Sequence, residues 1–142
     1  MLKLTSELLQ QIEAHGAASY PYEGCGLLLG EASPGQNVVM ALMPVENKWP
    51  VEAEKPVRFL IEPQDMVQAE LTAAMNGQDV LGIFHSHPDH EPIASPRDLA
   101  WATWPGYSYL ITAVRQGEPA DSRSWQLLED RSGFVEEKVE VE

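Results

Sequence analysis

Two histidines separated by a single residue form the part of this sequence most able to do chemistry. His85 and His87 directly follow the apolar stretch 80–84, which is typical of a short β-strand. Because alternate residues of a strand point to the same face, both imidazoles should face one point while Ser86 faces away. Asp98 follows a short loop later. Two imidazoles and one carboxylate form a three-ligand set for a divalent metal, and they leave one tetrahedral position open for catalysis.

Each half of this pattern also has a purely structural interpretation. Two histidines at a strand end can be an ordinary hydrogen-bonded pair. Ser95-x-x-Asp98 can be a capping box at a helix start, where Pro96 would suit the first turn. Taken together, the two halves place three ligands and a hydroxyl around one point, which favours a metal site. Imidazole and carboxylate ligands suit zinc, so the sequence predicts a zinc site formed by His85, His87 and Asp98.

Hydrolysis at such a site also needs a group that moves protons. The sequence contains neither the HExxH motif of zincin helices nor the HxE…PCxxC motif of zinc deaminases. Its best candidate for a proton shuttle is Glu23, which lies in the segment 20–26 just before an apolar stretch. A loop glutamate is ordinarily a solvated surface residue, so these residues alone leave the role of Glu23 open.

Composition limits the class of protein. A length of 142 residues suits a single domain with its own core, and we expect one domain over residues 1–142. The net charge of −13 makes nucleic acid and anionic membranes poor partners. The one cysteine, Cys25, excludes an intrachain disulfide and fits a reducing compartment, and we interpret it as a small buried residue. Without a secretory signal or an apolar run of about 20 residues, we expect a cytoplasmic protein.

The hydrophobic pattern predicts the elements that position these residues. A first helix should be capped by Thr5 or Ser6 and end before Pro21, and a second should run from Pro63 to Met75. A short helix should begin at Ser95. Strands are expected at residues 24–30, 37–45, 57–61, 80–84, 107–114, 123–129 and 134–141. The apolar stripe of the second helix is expected to contain Met66, Val67, Leu71 and Ala74 or Met75. This order of elements predicts an α/β fold, with a mixed sheet flanked by helices.

The candidate residues resemble the signature of the JAMM, or MPN-plus, metalloproteases. That signature consists of a glutamate, a distant H-[ST]-H-P and an S-x-x-D. Seven residues separate the second histidine from the serine. The sequence matches it without a gap, through Glu23, His85, His87, Ser95 and Asp98. The surrounding residues resemble the short, stand-alone prokaryotic branch, through Pro21-x-Glu23-x-Cys25-Gly26-Leu27-Leu28 and Arg58-Phe59-x-Ile61-x-Pro63.

The resemblance implies a cytidine-deaminase-like, three-layer α/β MPN domain that holds one zinc ion per chain. It implies that His85, His87 and Asp98 bind the zinc, with water as the fourth ligand. It also implies that Glu23 deprotonates this water and later protonates the leaving amine. Ser95 would then donate a hydrogen bond to the oxyanion of the tetrahedral intermediate.

For compact prokaryotic members, the resemblance implies cleavage after the C-terminal Gly-Gly of a ubiquitin-like protein, with small sulfur-carrier proteins as the expected class. The insertions that eukaryotic deubiquitinating members use to grip ubiquitin have no room in this chain. Two alternatives stay open at this point. One is a non-catalytic MPN scaffold that only binds partners, and the other is a zinc amidase that acts on a small molecule.

Overall fold

The computed structural model of the protein describes residues 1–96, 98 and 105–142. Its helices include α1 (Ser6–Ser19) and α2 (Pro63–Met75), with a 3₁₀ turn at Glu52–Glu54, and Pro96 and Asp98 are also helical. The strands of the same residues are β1 (Leu2–Leu4), β2 (Cys25–Ser33), β3 (Gln36–Val45), β4 (Asp79–Pro88), β5 (Ser108–Arg115), β6 (Glu118–Leu127), β7 (Phe134–Glu137) and β8 (Val139–Val141).

All the described strands belong to one mixed sheet in the order β7-β6-β5-β4-β2-β3-β1-β8. The pairs β4–β5, β1–β3 and β1–β8 are parallel, and the others are antiparallel. A single residue, Lys138, separates β7 from β8, although these strands lie at opposite ends of the order. The sheet therefore curves until its two edges approach each other.

Helices α1 and α2 pack on opposite faces of this sheet. Leu28 of β2 belongs to a buried cluster that includes Ile12 of α1. Its neighbours Leu27 and Leu29 belong to a second cluster, which includes Ala69 of α2. Because successive strand residues point to opposite faces, the two clusters lie on either side of β2. The layers are therefore helix, sheet and helix, which confirms the predicted α/β fold with a mixed sheet flanked by helices.

Strand β4 lies near the middle of the sheet and carries both histidines at its C-terminal end. It pairs with β2 on one side, where His85 is opposite Cys25, and with β5 on the other, where His87 is opposite Ala113. The predicted strand is 80–84, whereas the observed strand continues through the histidines to Pro88. Both imidazoles are consequently held by a paired backbone.

Several predicted elements are confirmed with small shifts of their ends. Helix α1 begins after the predicted cap, and Thr5 Oγ1 accepts a hydrogen bond from the Leu8 backbone N–H at 3.2 Å. Helix α2 begins at Pro63 and ends before Gly77, which has a φ of 66°. Strands β2 and β3 correspond to the strands predicted at 24–30 and 37–45, and they pair as an antiparallel hairpin. Neither described helix has the length and apolar character needed to cross a membrane.

The strand predicted at 57–61 is wrong. This segment has no ladder partner among the described residues, because β2 already lies between β3 and β4 and no sheet position remains there. The segment is bonded to the preceding loop instead: the Lys48 N–H donates to the Leu60 carbonyl, and the Leu60 N–H donates to the Asn47 side chain. Its apolar residues Phe59 and Ile61 still pack against the core on the α2 side.

The predicted apolar stripe of α2 is only partly right. Met66 packs against the core, but Val67 is 55% exposed, Leu71 56% and Met75 87%. Ala74 is also exposed. The buried residues are Ala69 and Ala73, because the helix lies close to the sheet and only small side chains fit beneath it. Helical periodicity alone does not distinguish this narrow alanine face from the wider, more hydrophobic one.

The C-terminal predictions also need correction. The strand predicted at 134–141 is two strands, β7 and β8, which pair with β6 and β1 respectively. Strand β6 begins at Glu118, because the turn before it is only Gln116-Gly117, both with positive φ. Strand β1 is absent from the predicted elements. The short helix expected from Ser95 lies partly outside the described residues.

Gly82 of β4 allows a close approach of the sheet backbone. A Cβ at this position would overlap the Ser108 carbonyl oxygen of β5. We therefore expect Gly82→Ala to lower the free energy of unfolding by about 3 kcal/mol, because the central sheet backbone cannot move aside without strain. Urea denaturation measures this change. The control is Gly133→Ala, where a Cβ has nothing within 4 Å, and equal stability losses in both variants would contradict this explanation.

Candidate functional site

Three potential ligand side chains converge at the end of β4. His85 Nε2 and His87 Nε2 are 3.2 Å apart. Asp98 approaches both, with Oδ1 3.1 Å from His85 Nε2 and Oδ2 3.3 Å from His87 Nε2. The two histidines are 2% and 6% exposed. The predicted ligand set is therefore assembled, and the strand register accounts for the common direction of the two imidazoles.

These separations suit a tetrahedral metal. A zinc ion with bonds of about 2.0–2.1 Å places neighbouring tetrahedral ligands about 3.3–3.4 Å apart. The three observed separations lie between 3.1 and 3.3 Å. The three side chains are thus close enough to share one ion, with different Asp98 oxygens nearest the two rings, and their nitrogen and oxygen donors are those that zinc accepts.

The outer nitrogens of the two rings have different surroundings. His87 Nδ1 lies 2.7 Å from the Glu91 carbonyl oxygen, so Nδ1 carries the proton and Nε2 presents its lone pair to the site. His85 Nδ1 is buried without a hydrogen-bond partner among residues 1–96, 98 and 105–142. The His85 ring is instead stacked on Phe59, with centroids 4.6 Å apart. One ligand is oriented by a hydrogen bond and the other by an aromatic neighbour.

The protonation states also suit metal binding. Burial lowers the pKa of His85 below its ordinary value, which favours the neutral imidazole. Burial alone would raise the pKa of Asp98, but its electrostatic interactions with His85 and His87 outweigh this effect and hold that pKa well below the usual range. Neutral imidazole and ionised carboxylate are the forms that bind a metal ion.

Glu23 lies beside this set although it is about sixty residues away in sequence. One of its carboxylate oxygens and one ring nitrogen from each of His85 and His87 all lie within 4.8 Å of one another. Glu23 is 5% exposed, so it is not the solvated loop residue that its sequence context suggests. At this separation a single water molecule can bridge the carboxylate and the ligand set.

Ser95 forms the reciprocal pair of hydrogen bonds expected of a capping box. Its backbone N–H donates to Asp98 Oδ2 at 2.7 Å, and its Oγ accepts from the Asp98 N–H at 3.2 Å. The bonds orient the Asp98 carboxylate, and they use Ser95 Oγ as an acceptor without consuming its O–H donor. The structural and chemical interpretations of this motif are therefore compatible.

Three of the candidate residues, Glu23, His87 and Ser95, line one cavity of about 220 Å³. Its lining consists of Glu23, Val57, His87, His90, Glu91, Ile93 and Ser95. Residues of the loop after β4 and Val57 from the segment before α2 therefore line the same cavity as Glu23 and His87. His90 is an exposed residue of this lining.

The backbone around Glu23 is held from two sides. On the β4 side, the Gly24 N–H donates to Ser86 Oγ at 2.8 Å and the Ser86 N–H donates to the Gly24 carbonyl at 3.0 Å. On the other side, the Glu23 N–H donates to the Lys55 carbonyl and the Glu23 carbonyl accepts from Asn47 Nδ2, both at 2.9 Å. Ser86 points away from the metal ligands, as predicted, and in doing so fixes the segment that carries Glu23.

Sequence reasoning misses two residues that support the site. Asn47 falls in a polar stretch where no element is predicted. Asp89 follows the histidine motif with a φ of 57°; its side chain accepts from the Tyr20 hydroxyl at 2.5 Å and from the Gln116 N–H at 2.8 Å. These bonds tie the loop after β4 to the end of α1 and to the β5–β6 turn. No sequence motif includes either residue. The only signal is that aspartate adopts a positive φ more often than most residues do, as Asp89 does here.

Cys25 is fully buried beside the site, as the sequence predicted. Burial raises the pKa of its thiol to about 12, with the nearby Glu23 charge adding to the effect. We therefore expect Cys25 to be inert to a thiol reagent at pH 8 in the folded protein and to react fully after denaturation, because the thiolate is the reactive form. A spectrophotometric thiol titration with and without urea measures this, and rapid labelling of the folded protein would contradict it.

Comparison with known proteins agrees with the geometry. A family model for prokaryotic homologues of the JAB domain matches residues 5–128. The chain is 35% identical to the desampylase of Haloferax volcanii over 78% of each chain. It is 31% identical to a probable TtuB-protein conjugate cleaving protease of Thermus thermophilus, over 68% of this chain and 60% of the relative. It is 26% identical to the CysO-cysteine peptidase of Mycobacterium tuberculosis, over 99% and 91%.

Solved structures show the same fold. A solution structure from Desulfitobacterium hafniense matches with a TM-score of 0.86 and 29% identity, over 100% of this chain and 93% of that one. A structure described as a JAMM metalloprotease-like zinc site in the proteasome and signalosome matches with a TM-score of 0.59 and 20% identity, over 100% and 98%. At that identity the second match shows the fold alone. The chain belongs to the prokaryotic JAB-domain family, the stand-alone branch of the JAMM metalloproteases.

Proposed function

We propose that this protein is a zinc-dependent peptidase or isopeptidase that hydrolyses the bond after the C-terminal Gly-Gly of a ubiquitin-like protein of the sulfur-carrier type. Its catalytic unit is one domain over residues 1–142. The observation that carries the proposal is the convergence of Glu23 with His85, His87 and Asp98. A buried carboxylate beside a three-ligand set is the arrangement that metal-assisted hydrolysis requires.

His85, His87 and Asp98 are the residues that would hold the zinc ion. When bound, the ion supplies Lewis-acid chemistry, which lowers the pKa of water and polarises a carbonyl group. The strand register, the Glu91 carbonyl and the Phe59 ring hold the imidazoles in place before any ligand arrives. The site is therefore preorganised by the chain's own packing.

Glu23 and Ser95 have separate roles in this proposal. The Glu23 carboxylate takes a proton from the attacking water and returns it to the amine that leaves, which needs one group within reach of both. Its burial excludes competing solvent from this exchange. The Ser95 hydroxyl lies on the lining of the same cavity, where it donates a hydrogen bond to the oxyanion that forms on the substrate carbonyl.

The substrate class is supported by relatives and by the shape of the cavity. The matched relatives include a desampylase, a probable TtuB-protein conjugate cleaving protease and a CysO-cysteine peptidase, whose names point to conjugates of small ubiquitin-like proteins. Val57 and Ile93 line the cavity next to the polar groups. A Gly-Gly backbone brings no side chains, so it suits entry into a cavity of only about 220 Å³ beside Glu23 and His87. The single, buried cysteine fits our expectation of a reducing, cytoplasmic location.

The two alternatives have less support. A non-catalytic scaffold would have no need for a complete ligand set with its glutamate, and both are present here. No specific observation favours a small-molecule amidase, which has the same ligand requirements. Cleavage of a protein substrate after Gly-Gly distinguishes both alternatives from the proposed peptidase.

We expect the purified protein to bind one zinc ion per chain. Asp98→Ala should weaken binding by more than about 100-fold, since loss of a direct ligand costs at least as much as loss of its outer partners. Zinc content after dialysis, measured by mass spectrometry of the metal, is the readout. Asp121→Ala removes an exposed carboxylate that contacts Arg123 and should retain full zinc content. A folded wild-type protein that never binds a divalent metal would contradict the proposal.

Cleavage is tested with ubiquitin-like sulfur-carrier proteins that are extended by one residue or conjugated beyond Gly-Gly. We expect the wild-type enzyme to release the mature Gly-Gly terminus, identified by the mass of the products. Glu23→Gln should lower kcat by about 10²–10⁴-fold, the usual contribution of a general acid–base group, and retain zinc. The control Glu31→Gln makes the same chemical change on an exposed part of β2 and should have wild-type kcat.

Three outcomes test different parts of the proposal. Normal activity of Glu23→Gln would show that the base is assigned wrongly. Binding of the extended substrates without hydrolysis by the zinc-loaded wild-type protein would favour a scaffold. A substrate with Ala-Ala in place of Gly-Gly should be cleaved more slowly, and equal rates would contradict the inference of a narrow cavity.

A further inference from the structure

The backbone of Glu23 is tied to a loop outside the metal-binding motif. Glu23 precedes β2, so its own peptide groups are not part of the sheet ladder. Its N–H donates to the Lys55 carbonyl and its carbonyl accepts from Asn47 Nδ2. The position of this glutamate therefore depends on the loop between β3 and α2, and Asn47 is the side chain of that loop that contacts it.

Asn47 uses all four of its hydrogen-bonding positions. Its Nδ2 donates to the carbonyls of Glu23 and Arg58, both at 2.9 Å. Its Oδ1 accepts from the N–H groups of Trp49 and Leu60, at 3.0 and 3.2 Å. A primary amide has two donor hydrogens and two acceptor lone pairs, so this side chain is fully satisfied. Such saturation by backbone groups indicates a fixed structural junction.

The junction joins the Glu23 backbone to the segment that contains Phe59. Arg58 and Leu60, which Asn47 binds, are the neighbours of Phe59 on either side, and the Phe59 ring stacks on His85. Asn47 thus connects the Glu23 backbone directly to the segment whose aromatic ring orients a metal ligand. The same segment contributes Val57 to the cavity.

We propose that Asn47 is the positioning residue for Glu23: its amide sets the place of the glutamate relative to the metal ligands by bonding the Glu23 carbonyl and both flanks of Phe59. This inference rests on the proposed function, in which Glu23 moves the proton. Its role is positioning because its side chain does not reach the substrate cavity. All four hydrogen bonds of the Asn47 side chain go to backbone groups, and Asn47 is not among the cavity lining residues. A shift of about 1 Å in a catalytic group costs about 100-fold in rate.

Only an amide satisfies this junction. Aspartate has the same shape and keeps an acceptor for Trp49 and Leu60, but it replaces the donor with an oxygen that faces the carbonyls of Glu23 and Arg58. Two acceptors without a hydrogen between them repel each other, and the Glu23 carbonyl loses its partner. Asn47→Asp therefore changes the contacts to Glu23 and Arg58, while it keeps the acceptor for the Trp49 and Leu60 N–H groups.

The first test compares Asn47→Asp with Asn37→Asp. Asn37 is a matched control on β3, where Nδ2 donates to Ser108 Oγ at 2.9 Å and to the Gly106 carbonyl at 3.3 Å. It is 6% exposed, so the same substitution should destabilise the fold at least as much. We expect Asn47→Asp to lower kcat by about 10–100-fold with little change in KM and full zinc content, while Asn37→Asp keeps kcat. If either aspartate variant does not fold, the same comparison is made with Asn47→Ser and Asn37→Ser.

The second test does not depend on activity. Amide hydrogen exchange, followed by NMR on the metal-free protein, reports the hydrogen bond from the Glu23 N–H to the Lys55 carbonyl. We expect this amide to exchange at least about tenfold faster in Asn47→Asp, because the loop that holds Lys55 loses its attachment to Glu23. In Asn37→Asp its exchange should change only as much as the global stability does. The amides of β4 should keep their protection in both variants.

The outcomes separate this inference from the proposed function. Equal losses of kcat in the two aspartate variants, or a rise in KM alone, would overturn the positioning role. Unchanged exchange at Glu23 in Asn47→Asp would also overturn it. If the wild-type protein cleaves none of the extended substrates, the proposed function fails, while the exchange experiment still decides whether Asn47 holds Glu23.

Discussion

The pleat of one central strand is the constraint on which the site depends. β4 places His85 and His87 on the same face because they are two residues apart, and its pairing with β2 and β5 prevents a shift of register. A shift by one residue would turn both imidazoles away and replace them with Ser86. The Gly82 contact with β5 and the Ser86 contact with Gly24 both belong to this same register. The strand that carries the ligands thus also fixes the segment that carries Glu23.

Charge explains why this cluster needs so much support. Glu23 and Asp98 are two carboxylates that lie next to the imidazoles at the end of β4. Burial favours the neutral form of the His85 imidazole. Burying charge is costly unless it is balanced nearby. A divalent cation carries the charge that balances two carboxylates, so the donor set and its electrostatics favour the same ligand. The surrounding hydrogen bonds hold these groups close together.

The sequence predicted the parts of the fold that local patterns determine. Helix α1, helix α2 and the β2–β3 hairpin each have caps or turns of their own, and the alternation of β4 predicted the direction of its histidines. The strand predicted at 57–61 failed because its apolar residues pack on the core without a free sheet position. The stripe of α2 failed because close packing selected alanines over Val67 and Leu71. Both errors concern the tertiary contacts of apolar residues. Local patterns in one sequence do not determine those contacts.

The same division applies to the site. Reactive side chains at informative spacings are revealed by a motif, and the structure brings these residues close together: His85, His87, Ser95, Asp98 and Glu23. Asn47 offers no such signal, since its side chain bonds four backbone groups that come together only when the loop folds. An asparagine in a polar loop is ordinary. Its value arises because Glu23 lies before β2, where the ladder does not yet hold the chain, so some other group has to complete the attachment. The weakest part of the catalytic geometry is therefore also the part that motifs do not describe.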